Sequence, residues 1–250
     1  MFELIKARIR HGWQAIPDPL HASIHPAFPG VPVLLGDHAE DFEAAEQICP
    51  THAIQNHHLD LGKCVFCGAC ERGFPETFSF EADFRLASSS REGLIIRWDE
   101  ELNASSRPGV SPHPVMAKVC RNSLALRNVS AAGCNACELE LGACSNVNFD
   151  MGRYGLDVVA SPRHADALIL TGSVSANMAG PLRETWEAIP EPKVLILSGT
   201  CAISGGIFNG SKALSREWLE SITPALYIPG CPAHPLSIIH GLISMLGRNV

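Results

Sequence analysis

Three cysteines at successive two-residue gaps constrain this chain more than any other feature. They are Cys64, Cys67 and Cys70 in KCVFCGACE. Such a run wraps the backbone around one face of a cube of iron and sulfide. Gly68 permits the tight curvature, and the loop amides are free to hydrogen-bond the sulfurs. A fourth ligand must come from elsewhere. Cys49 in ICPTHAI is the candidate, because Pro50 follows it directly, and a Cys-Pro pair supplies the remote ligand in two-cluster runs. The competing chemistry is a zinc ion held by the same four thiolates. Zinc sites usually pair two Cys-x2-Cys arms, whereas the triple run favours a cluster.

The chain holds ten cysteines in 250 residues. No secretory signal or twin-arginine motif precedes them: MFELIKARIRHGW lacks an apolar core. A cytoplasmic, reducing location is therefore expected, and there metal or redox chemistry explains the cysteines better than disulfides do. The formal charge of −7 argues against a nucleic-acid binder, which would carry a basic face. No apolar run reaches bilayer-spanning length.

The first block resembles a two-cluster ferredoxin from which one cluster has been erased. The full pattern would carry three cysteines upstream of Cys49 and one about four residues past Cys70. The upstream stretch PVLLGDHAEDFEAAEQ has none, and Phe74-Pro75 stands where the family has Cys-Pro. All four ligands of one cluster are absent together, and all four of the other remain.

A second block is dispersed: Cys134 and Cys137 in AGCNACELEL, Cys201 in LSGTCAISGGIF, Cys231 in YIPGCPAHP. Any site they form must be assembled by tertiary folding. DVVAS, ADALILTGS, KVLILSGT and ALYIPG read as short buried strands. A helix is expected from about Pro181 to Ile189, and another from Pro235 to Leu246. Strands alternating with helices predict a parallel sheet covered on both faces. Cys201 and Cys231 would then emerge at the same end of it, where such sheets bind ligands. Cys134 and Cys137 are expected in a loop before the first strand. Gly205 and Gly206 permit close backbone approach after Cys201.

GCNACELE, SPRHADALILTGSV, EPKVLILSGTCAISGGIF and YIPGCP together resemble the small subunit of energy-converting, membrane-associated [NiFe] hydrogenases. That family includes the formate-hydrogenlyase type and the 20 kDa subunit of respiratory complex I. The resemblance covers roughly residues 115 to 250. It implies that Cys134, Cys137, Cys201 and Cys231 bind a proximal [4Fe–4S] cluster beside a catalytic large subunit. The two-residue gap between Cys134 and Cys137 follows the hydrogenase branch; in the complex I branch these cysteines are adjacent. The N-terminal part resembles the ferredoxin subunit of the same complexes, so the chain reads as a fusion. The fold class expected is α/β: a flavodoxin-like parallel-sheet domain at 113–250, and a smaller ferredoxin-like α+β domain at 1–112. Residues 82 to 114 read as loop or linker, with GLIIRW from Gly93 as a strand returning to the first domain.

Other residues carry weaker claims. Phe2, Ile5, Ile9, Trp13 and Ile16 share a helical face, with Lys6, Arg8 and Arg10 off it. This describes either a membrane-surface helix or one packed on a partner or on the chain's own core. Glu138 and Glu140 flank the second block; Glu140 is the better candidate proton relay, against a plain solvated or interface carboxylate. Cys120 and Cys144 read as small buried apolar residues. His52, His57 and His58 read as hairpin surface, and His234 has no assigned role.

The function expected is that of an electron-transfer subunit holding two [4Fe–4S] clusters, with no catalytic residue of its own beyond a relay at Glu140. The resemblance implies a hydrogenase large subunit or a complex I 49 kDa-like subunit as partner, with other iron–sulfur and membrane subunits. It places the assembly at the inner face of the cell membrane, with peripheral attachment through partners. The alternatives are a quinone-reducing, complex I-like assembly without nickel, and a zinc-stabilised scaffold.

Overall fold

The computed structural model describes residues 2–12, 14–36, 38–99 and 104–248. The N-terminal half contains α1 (Phe2–His11), β1 (Val31–Leu34), α2 (Ala39–Ile48), β2 (Ile54–Gln55), β3 (His58–Asp60), α3 (Ala69–Gly73), β4 (Phe78–Glu81), β5 (Ile95–Asp99) and β6 (Ala104–Ser105). Here β1 pairs antiparallel with β4, and β2-β3-β5-β6 form a second antiparallel sheet. β5 is the strand expected in GLIIRW.

The C-terminal half contains α4 (Met116–Val119), β7 (Leu124–Ser130), α5 (Ala136–Ala143), β8 (Leu156–Val158), β9 (Ala167–Thr171), α6 (Ala176–Ala188), β10 (Val194–Ser198), α7 (Thr200–Ser204), α8 (Glu217–Glu220), β11 (Leu226–Ile228) and α9 (Pro235–Met245). Its five strands are all parallel, in the order β8-β7-β9-β10-β11. Counted along the chain, that is the 2-1-3-4-5 order of flavodoxin, with its switch point between β7 and β9.

β9 and β10 are buried along their whole length, as central strands covered on both faces must be. Side-chain alternation divides them between two cores. Leu168, Leu170, Leu195 and Leu197 join one core; Ala167, Ile169, Val194 and Ile196 join the other, together with Ile239 and Leu242 of α9. The first core continues into Val33, Leu59, Leu86 and Ile96 of the N-terminal half. That half therefore packs on one face of the parallel sheet, and α9 on the opposite face.

Four expectations change. The central strand β7 lies before Cys134 and Cys137, so those cysteines follow the first strand of the sheet instead of preceding it. LALRNVS hides this strand, because Arg127 and Asn128 interrupt the apolar run; Asn128 spends its amide on the Ile169 carbonyl at 3.0 Å. Helix α6 begins at Ala176 after Ser175, and Pro181 lies inside it. The segment from 82 is no loose linker. Phe84, Leu86, Ala87 and Ser88 are buried, and Ser88 exchanges two backbone hydrogen bonds with Tyr227 at 2.9 Å each, which covers the edge of β11. Helix α1 stops at His11, so the apolar stripe does not run on to Ile16. Phe2, Ile5 and Ile9 are exposed, Trp13 lies outside the described residues, and the Ile16 N–H donates to the Asn148 carbonyl at 2.8 Å. Among the described residues, no helix is long and apolar enough to cross a membrane.

Candidate thiol-lined sites

Cys49, Cys64, Cys67 and Cys70 line one cavity. Cys49 caps α2, and Cys70 lies in α3, whose N-cap Gly68 takes the left-handed conformation with φ +66°. The curvature expected at Gly68 is thus present in the backbone. The Ala53 N–H donates to the Cys49 sulfur at 3.2 Å, and the Phe66 N–H to the Cys64 sulfur at 3.3 Å. Amide donation of this kind stabilises sulfur-centred negative charge. Burial, opposed by that Phe66 amide and reinforced by the neighbouring thiols, pushes the Cys64 thiol far up. Burial pushes Cys70 up to about 11.

The second block also converges. Cys134, Cys137, Cys201 and Cys231 line a single cavity with Glu138, Thr200 and Gly230. Cys134 and Cys137 follow β7, Cys201 follows β10 and Cys231 follows β11. The parallel sheet thus delivers them to its carboxyl end, beside the switch point. Gly199 has φ +90°, and a Cβ there would lie 2.5 Å from the Cys137 sulfur. Gly206 is as tightly placed: its Cβ would lie 2.9 Å from the Cys201 sulfur. A side chain at either position would therefore press on a cysteine sulfur of the set. Burial raises Cys137 to about 12, with Glu138 and the facing thiols adding to it. Burial, then Cys231 and Cys134, raises Cys201 to about 11.

Each donor set lines one cavity with four thiols, the donor chemistry that a four-iron group takes. A lone zinc draws all its thiolates to about 2.3 Å from one centre, whereas a cube of four irons is served by a wider ring of four thiolates. Burial and the facing thiols raise Cys64 and Cys70 in the first set and Cys137 and Cys201 in the second, and a metal charge offsets that resistance to ionising.

Around the second cavity, burial would raise Glu138, but hydrogen bonds from Ser130 and Thr171 hold its carboxyl below the usual range. The Thr171 bond measures 2.6 Å. Glu140 points elsewhere, into a recess it shares with Phe28, Phe66, Cys231 and His234. Burial holds Glu140 above its usual value and His234 below. His234 caps α9 by accepting from the Leu236 N–H at 3.1 Å. Cys120 and Cys144 are buried in the α9-side core. His57 stacks on Phe42 at the β2–β3 turn, with ring centroids 5.3 Å apart.

Two residues near the cysteines carry little local sequence signal. Arg216 donates to the carbonyls of Ser173, Cys201, Ala202 and Ile203 at 2.8–3.2 Å. The Thr200 hydroxyl donates to the Cys64 carbonyl at 2.7 Å. Thr200 directly precedes a candidate ligand, and that adjacency was the available clue.

Fold and site together define a flavodoxin-like domain with a thiol-lined recess beyond its strand ends. Residues 134–245 match the family described as NADH ubiquinone oxidoreductase, 20 Kd subunit. Formate hydrogenlyase subunit 7 of Escherichia coli is 40% identical over 136 residues, covering 53% of this chain and 52% of that protein. A probable membrane-bound hydrogenase subunit of Pyrococcus furiosus is 35% identical over 122 residues, 48% of this chain and 72% of its own length. NADH-quinone oxidoreductase subunit 6 of Thermus thermophilus is 37% identical over 115 residues, 45% of this chain and 62% of its own. This chain belongs to the 20 Kd subunit family, whose relatives named here are subunits of oxidoreductase complexes. It spans about half the length of the formate hydrogenlyase subunit it matches.

Proposed function

We propose that this chain is an electron-transfer subunit of a membrane-associated [NiFe] hydrogenase complex, holding two [4Fe–4S] clusters. The observation that carries the reading is the convergence of eight cysteines into two separate cavities of four. Such clusters, when bound, supply one-electron transfer. The chain's own residues hold them, and the Ala53 and Phe66 amides donate to sulfurs of the first site. Cys49, Cys64, Cys67 and Cys70 form the site of a ferredoxin-like domain, residues 1–112, fused to the family domain at 113–250. Cys134, Cys137, Cys201 and Cys231 form the site beside a nickel-bearing large subunit. The complex lies on the cytoplasmic face of the cell membrane, attached through its partners.

The formate hydrogenlyase and Pyrococcus relatives support the hydrogenase branch, as does the two-residue gap between Cys134 and Cys137. The Thermus relative supports a second reading, a quinone-reducing complex without nickel. Anaerobic isolation of the intact complex decides between them. Nickel with hydrogen-uptake activity is expected; an active complex without nickel sinks the hydrogenase reading. Stoichiometric zinc without acid-labile sulfide sinks both.

A further inference from the structure

We propose that Thr200 is the bridge by which an electron crosses between the two thiol sites. This rests on the two-cluster reading above. Thr200 is buried. Its hydroxyl lies 2.7 Å from the Cys64 carbonyl oxygen and 3.2 Å from that of Gly230. A hydroxyl carries one proton, and the nearer acceptor, Cys64, takes it. The Thr200 N–H donates separately to Gly230 at 2.9 Å. Thr200 is bonded to Cys201, and Gly230 to Cys231. One residue therefore joins a cysteine-bearing segment of the first site to two cysteine-bearing segments of the second.

The surroundings are tight at this point. A Cβ on Gly62, two residues before Cys64, would lie 2.8 Å from the Ile203 side chain, two residues past Cys201. The two halves meet here without room for a water layer. Electronic coupling decays more slowly through bonds and hydrogen bonds than across gaps. From the Cys64 sulfur the route runs along that residue to its carbonyl, across one hydrogen bond to Thr200, and along the peptide to Cys201. One site loses an electron as the other gains it. No bond breaks, and the Thr200 proton stays on its oxygen.

The test uses the full chain, filled anaerobically with iron and sulfide, as wild type, Thr200→Val, Thr200→Ala and Thr200→Ser. Iron analysis should give about eight irons in each. Inter-site electron equilibration is followed after flash reduction, and the inter-site distance is measured by pulsed paramagnetic resonance. Val and Ala should slow equilibration severalfold at unchanged distance, and Ser should restore it. Ala stands in if the Val variant fails to fold. Unchanged rates in hydroxyl-lacking variants overturn the bridge. A slowed rate accompanied by a longer distance makes Thr200 a docking contact only and also overturns it. Wild type with about four irons overturns the two-cluster reading itself, and that failure is visible before any rate is measured.

Discussion

The Arg216 guanidinium donates to the Cys201 carbonyl at 3.2 Å, which holds a positive charge behind one wall of the second thiol site. Three more carbonyls share it, and Arg216 lowers the Cys201 thiol against burial and the facing cysteines. A fixed positive charge favours the more negative, reduced form of a neighbouring redox group. Arg216→Met should therefore shift the second site's midpoint potential to more negative values and leave the first site unmoved. It should also cost about 2–4 kcal/mol of stability, because several buried carbonyls lose a charged donor. Potentiometric titration followed by paramagnetic resonance reads the first effect, and denaturant unfolding the second. An unshifted potential would show that the guanidinium only ties the backbone together.

Gly199 offers a sharper disruption. Its backbone sits at φ +90°, and an added Cβ meets the Cys137 sulfur at 2.5 Å. Gly199→Ala should displace Cys137 from the ring and empty that site alone. Iron should fall from about eight to about four per chain, with the first site's signal retained. Full iron content in this variant would mean that Cys137 is not a ligand.

Cys67 makes the complementary test, and its exposure limits collateral damage. Cys67→Ser should remove one paramagnetic signal and leave the other, with folding preserved. Loss of both signals, or of neither, contradicts the division of eight cysteines into two sets of four.

Much of this was legible in the sequence for a physical reason. The first thiol set is local, so spacing alone outlines it, and Gly68 adopts the curvature its place in the run requires. Cys201 and Cys231 are legible at one sheet end because VLILS and LYI are short buried strands whose exits carry them, whereas Cys134 and Cys137 are not, because the strand ahead of them is hidden. Strand β7 escaped because Arg127 and Asn128 break its apolar run, although Asn128 is satisfied within the sheet. Ser88 looked like linker because its pairing with Tyr227 is long-range, and no local pattern announces a backbone bridge of that kind. Arg216 and Thr200 escaped for the same reason. Their role lies in carbonyls contributed by distant segments, and a carbonyl leaves no trace in side-chain identity.

His240 gives a prediction independent of any cluster. It lies on α9 with its ring edge-on to Phe84, centroids 5.7 Å apart, and its buried Nδ1 has no hydrogen-bond partner among the described residues. Burial lowers its pKa, helped by Arg85 and His21 and opposed by Asp83. The unfolded chain therefore binds this proton at higher pH than the folded one. Stability rises with pH wherever the unfolded state holds more protons. The contribution is intact above the unfolded value of about 6.5 and is lost as pH falls from there through the lowered folded value. The slope from one such group is at most about 1.4 kcal/mol per pH unit. His240→Leu removes the group and keeps an apolar side chain in the α9 core. The stability difference between variant and wild type should thus move in the variant's favour between about pH 7.5 and about pH 5. Any cluster lability in acid is common to both proteins and cancels in that difference. A difference that stays flat across the range would mean that His240 reaches its proton in the folded state as easily as in the unfolded one, and that α9 is open to water at this turn.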